Sequence, residues 1–166
     1  MAELNRDQRF LPCLLDRLRD DDPKSTEESR TQRVISLSRY KEAVVRDLQW
    51  LFNASAHLPV EGKQEFRLSD YPEAHRSVIN FGLRQLCGLM APDMAALESE
   101  LSQALRLFEP RILRHTVSVK ASIDRHLVAF QIRAEVWAEP IPEQLFVQTT
   151  IDLENGQCVL GDRANG

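Results

Sequence analysis

Hydrophobic residues change their period at Pro110. Before it they recur every three or four positions, as on one face of an α-helix; after it they alternate, as on one face of a strand. Met94, Leu97, Leu101, Leu105 and Phe108 form the last helical stripe. Asp93 stands where a capping side chain belongs, and the helix must stop at Glu109, because a proline disfavours the α conformation in the residue before it. Beyond the switch, Leu113, His115, Val117 and Val119 alternate with Arg114, Thr116, Ser118 and Lys120. Val128, Phe130, Ile132, Ala134 and Val136 form a second such run, and Leu145, Val147, Thr149, Ile151 and Leu153 a third. Each run predicts a strand with one buried face. Asn155-Gly156 is the favoured pair for a tight hairpin turn into a short last strand over 157–160. Helices followed by closely connected strands predict an α+β fold, with helices packed on one face of a roughly four-stranded antiparallel meander.

Upstream, Leu37, Tyr40, Val44, Leu48, Leu51 and Phe52 predict a helix over 38–53, with Lys41, Glu42, Arg46 and Gln49 on its other side. Residues 54–70, with Pro59 and Gly62, read as a loop. A third helix is expected from Pro72, capped by Ser69 or Asp70, carrying Val78 and Ile79 and stopping at Gly82. At the start of the chain, Phe10, Leu11, Leu14, Leu15 and Leu18 follow helical spacing, and Asp20-Asp21-Asp22-Pro23 ends that run. Residues 24–35 read as a polar linker. The expected organisation is a short amphipathic helix with its linker over 1–35, which either folds back on its own domain or docks on a partner, one α+β domain over 36–161 and a flexible tail over 162–166.

The chain has 166 residues, sufficient for one domain with its own core. Its formal net charge of −4 argues against a nucleic-acid binder, which carries a basic excess. Cys13, Cys87 and Cys158 are odd in number and form no CxxC pair, so free thiols in a reducing compartment are expected rather than disulfides or a zinc site. No apolar run approaches the roughly 20 residues that cross a bilayer, and no signal peptide is visible, so the expectation is a cytoplasmic protein without direct membrane insertion.

The motifs of phosphate-binding loops, nucleophile elbows and HExxH zinc sites are absent. His57, His75, His115 and His126 lack partners at ligand spacing. A carboxylate pair such as Glu109 with Asp124, or Cys87 with His115, has no local support as catalytic equipment. Hence no catalytic residue, metal, cofactor or small-molecule substrate is expected. Glu109-Pro110-Arg111 does stand out, because a proline stiffens a corner that displays an acid and an arginine fork suited to a carboxylate. Two readings stay open there: a helix stop with an incidental salt bridge, or a binding corner.

Four stretches together resemble a known family. They are Leu14-Leu15-Asp16-Arg17-Leu18 with the acidic run behind it; Val45-Arg46-Asp47-Leu48-Gln49-Trp50-Leu51-Phe52-Asn53; Tyr71-Pro72-Glu73 with Ser77-Val78-Ile79-Asn80-Phe81-Gly82; and Phe108-Glu109-Pro110-Arg111. The sequence resembles the TssE baseplate wedge subunits of type VI secretion systems, which share a "lysozyme-like" domain with a small wedge protein of contractile phage tails. The resemblance implies a structural subunit that joins larger wedge proteins and helps to start the contractile sheath, in a baseplate assembled against an inner-membrane complex. It implies partner contacts through Glu109, Pro110 and Arg111 and through Leu14, Leu15, Asp16, Arg17 and Leu18, with Arg111 meeting a partner's carboxylate. The alternatives are a peptidoglycan-cleaving enzyme and a regulatory protein similar to the anti-adaptors that protect a stress sigma factor.

Overall fold

The computed structural model describes residues 10–18, 34–54, 70–83, 93–125, 127–139, 141–154 and 157–161. Cys87, His57, His126, the acidic run at 20–23, most of the expected linker and loop, the Asn155-Gly156 turn and the tail lie outside these residues.

The fold is α+β. Helices α1 (Leu14–Leu18), α2 (Leu37–Asn53), α3 (Pro72–His75) and α4 (Met94–Phe108) precede strands β1 (Ser118–Asp124), β2 (Leu127–Val136), β3 (Glu143–Asp152) and β4 (Cys158–Gly161). The strands form one antiparallel meander in the order β1-β2-β3-β4. Its register sets Val119 opposite Ile132, Phe130 opposite Thr149 and Ile151 opposite Cys158. Because side chains alternate across a strand, these residues share one buried face. There α4 packs against β1 and α2 against β4, and the two helices also touch each other. The caps are chemical: Ser36 accepts from Arg39 N–H, and Asp93 accepts from the N–H groups of Ala95 and Ala96. Thr149 is buried in this apolar layer, and its hydroxyl meets Cys158 Sγ at 2.8 Å and Val159 C=O at 3.2 Å.

Three expected elements come out differently. The first helix covers only Leu14–Leu18. Phe10 lies outside it, bridged to Ile35, stacked on Tyr40 at 4.7 Å and only 5% exposed. The segment around Phe10 and Ile35 is therefore packed on the core. The third helix breaks after His75, and Val78–Asn80 form a separate 3-10 turn. Ser77 causes the break: it is extended and uses its hydroxyl to cap the second turn at Ile79 N–H. Val78 consequently points to solvent, 86% exposed. The 3-10 turn ends at Asn80 instead of Gly82, and Gly82, two residues on, takes a φ of 118°.

The first strand begins at Ser118, not at Leu113. Ile112 already pairs with Val136, but five residues lie between Ile112 and Ser118 where β2 has two between Val136 and Arg133. The surplus folds out as a turn held by Thr116, whose hydroxyl donates to Leu113 C=O at 2.7 Å and accepts from Glu135 N–H at 2.9 Å. His115 is thereby exposed instead of facing the core.

Candidate partner-docking site

Glu109 is the residue at which α4 ends, and it turns inward, 3% exposed. A buried carboxylate is unfavourable unless it is paired, and Arg111 supplies the pair. Arg111 Nε donates to Glu109 Oε1 at 2.7 Å and Nη2 donates to Oε2 at 2.6 Å, two parallel charge-assisted bonds. The backbone N–H of Arg111 adds a third bond to Oε1 at 3.1 Å. Pro110 between them is exposed at the tip of the turn. The corner is also sewn to the end of β2, since Trp137 N–H donates to Arg111 C=O at 2.7 Å and Leu113 N–H to Glu135 C=O at 2.8 Å.

The pair continues outward. Arg111 Nη2 also reaches Asp47 Oδ2 on α2 at 2.6 Å. The other oxygen of Asp47 accepts from Arg46 Nη2 at 2.8 Å and Nε at 3.0 Å. Arg46 in turn bonds Asp16 on α1, Nη1 to Oδ1 and Nη2 to Oδ2. Five side chains of alternating charge, Asp16, Arg46, Asp47, Arg111 and Glu109, thus run from the first helix through the second to the corner. Cys13 Sγ donates to Asp16 at 2.9 Å, and the Arg46 guanidinium lies 5.4 Å from the ring centre of Trp50.

The electrostatics follow the geometry. The Arg46 hydrogen bond, against an opposing burial effect, holds the Asp16 carboxyl below its ordinary range. For Arg111, burial disfavours the charge, but the bonds to Glu109 and then Asp47 outweigh it and raise its pKa. Arg46 is raised as well, chiefly by its bond to Asp16. Every rung is therefore satisfied by its neighbours, and among the described residues no buried side-chain nitrogen or oxygen lacks a partner.

The structure brings Glu109, Arg111 and Asp16 into one network and leaves Leu14, Leu15, Arg17 and Leu18 projecting from it. Leu14 and Leu18 are 71% and 75% exposed. Two arms of the Arg111 fork, Nε and Nη2, which the sequence offers to a partner's carboxylate, are engaged inside the chain. Sequence reasoning assigned no role to Arg46 or Asp47. The available signal was that both stand in the second stretch of the resemblance. Their partners are 30 residues away at Asp16 and 64 away at Arg111, beyond the reach of any local pattern.

As chemistry, this arrangement is a brace. Both Glu109 oxygens accept from Arg111, and no group of three or more His, Cys, Asp or Glu among the described residues could hold a metal ion. Neither is any described helix long and apolar enough to cross a membrane. The chain is a small α+β domain with a braced charged corner and projecting leucines. The chain belongs to the baseplate wedge protein gp25 family, whose profile matches residues 38–141, more than half its length. This is the family of TssE, the type VI wedge subunit. It is a family of structural baseplate proteins that assemble with other baseplate proteins. The match runs from α2 to the β2–β3 connection and contains the corner, while α1 precedes it. No curated protein and no solved structure matches the chain.

Proposed function

We propose that this chain is a non-enzymatic, cytoplasmic wedge subunit of a type VI secretion baseplate, which joins the larger wedge proteins and helps to start the contractile sheath. The observation that carries this reading is the charged ladder: it makes the projecting helix and the Glu109-Pro110-Arg111 corner parts of one braced surface. Preformed surfaces lose less conformational entropy on binding. Leu14, Leu15 and Leu18 supply the apolar contact, while Pro110 and the outer side of Arg111 supply the corner. The open margins of the sheet are where a sheath strand would join. Peptidoglycan cleavage is disfavoured because its general acid must hold a proton for the leaving group, whereas Glu109 is a buried acceptor for Arg111.

The test is binding of the purified chain to the reconstituted larger wedge proteins. A buried leucine contributes about 1.5–3 kcal/mol, so Leu14→Ala with Leu18→Ala should weaken binding by about a hundredfold or more. Both side chains are exposed in the free chain, so its melting temperature should not change. Unaltered binding would remove α1 from the interface. Turnover of cell-wall material that disappears in Glu109→Gln would overturn the structural reading altogether.

A further inference from the structure

The outer strand of any open sheet turns alternate N–H and C=O groups away from its neighbour, and such a row recruits another strand. In β4 the outward groups belong to Cys158 and Leu160, because Gln157 C=O is directed at β3, where it accepts from Asp152 N–H. In β1 they belong to Val119, Ala121 and Ile123, with Val117 just before the strand. Helix side chains already occupy several of them. Asn53, the last residue of α2, lays its amide along β4: Nδ2 donates to Cys158 C=O at 3.0 Å and Oδ1 accepts from Cys158 N–H at 3.0 Å. That is the two-bond exchange a paired strand residue would make. On the opposite margin, Glu98 of α4 accepts from Ala121 N–H at 2.7 Å. Two turns further along α4, Arg106 Nη2 donates to Val117 C=O at 3.4 Å. The helices that cover one face of the sheet therefore also reach around both of its ends.

We propose that Asn53 and Glu98 are edge guards, which keep β4 and β1 of one molecule from pairing with an edge strand of a second copy of this chain. The hazard they counter is visible in the strands themselves. Val159 is 63% exposed on the face the helices leave bare. A second sheet set against β4 would cover it as well as satisfy backbone groups, whereas at β1 the backbone row alone recruits a strand. A guard does this work without sealing the margin permanently: a side-chain amide or carboxylate yields to an incoming strand that replaces its bonds. The proposal does not depend on the sheath reading.

The test uses the full chain and sedimentation velocity over a wide concentration range. The unaltered protein should stay monomeric. Asn53→Ala, which opens β4, and Glu98→Ala, which opens β1, should each give concentration-dependent association toward twice the monomer mass. Adding a charge to the exposed face of the opened strand, Val159→Lys in the first variant and Ser122→Lys in the second, should reverse it. Should either guard variant fail to fold, hydrogen exchange on the unaltered chain decides instead. The amides of Cys158 and Ala121 should exchange far more slowly than solvent-facing edge amides. Guard variants that are folded and monomeric, association that the lysines do not reverse, or fast exchange at both amides would each overturn the proposal.

Discussion

Arg111 shows how one residue's chemistry depends on what surrounds it. Its fork holds a buried carboxylate from the same turn and a second carboxylate from α2. Removing it leaves Glu109 buried and unpaired, a change that costs about 3–5 kcal/mol. At ~2–4 °C per kcal/mol for a domain of this size, Arg111→Ala should lower the melting temperature by about 6–20 °C. Arg111→Lys should also lower it, since one ammonium cannot make parallel bonds to Glu109 while reaching Asp47. A melting temperature unchanged in Arg111→Ala would mean that the corner is not a brace. Cys158 gives a second residue-level expectation. Burial, partly offset by the Thr149 hydrogen bond, pushes its thiol up to about 11 from an ordinary 9.0. The folded chain thus holds this proton more tightly than the unfolded chain. The stability it contributes is fully present below pH 9.0 and is lost as pH rises toward about 11. Denaturant titrations should show that alkaline loss, on the order of 2 kcal/mol, and Cys158→Ala should flatten it.

Among the elements, α1 is the weakest on its own account. Five residues cannot sustain a helix by propensity, and none of its residues is buried. Its position rests on the bond from Arg46 to Asp16 and on Phe10 just ahead of it. Asp16→Ala should therefore release α1 while the domain stays folded, since a part-exposed ion pair is worth about 1 kcal/mol or less. Limited proteolysis at Arg17 should quicken with little change in the melting temperature; unchanged cleavage would show that α1 is held by something else. The same contact is sensitive to acid. The Asp16 carboxyl is depressed by Arg46, so the attachment persists above the ordinary carboxylate pKa of 3.8 and is lost as pH falls below it. The elements legible in the sequence were those with a long one-sided stripe, α2, α4, β2 and β3, and the short β4 that the Asn155-Gly156 pair announces. The start of β1 and the middle of the third helix were not legible, for one reason. Thr116 and Ser77 each use a hydroxyl on nearby backbone, and such local bonds compete with regular structure without disturbing the apolar spacing around them.

For the molecule as a whole, the meander and its covered face follow from alternation and short connections, so they could be read in advance. The ladder could not, because it joins three elements through charges that look like ordinary surface residues. Glu109-Pro110-Arg111 was visible only as a stiff corner; which way its carboxylate faces is decided by Arg111, Asp47 and the end of β2. The same division has a kinetic side. Each strand pairs with its successor, so the sheet assembles by short loop closures that are entropically cheap. The attachments of α2 are of another kind, joining Asp47 to Arg111 across 64 residues and Asn53 to Cys158 across 105. Closures this long are costly to make early, so Asn53→Ala should leave the rate of folding nearly as it was and raise the rate of unfolding, with α2 as a latch on the folded state; a slowed folding limb in stopped-flow kinetics would make α2 part of the nucleus instead.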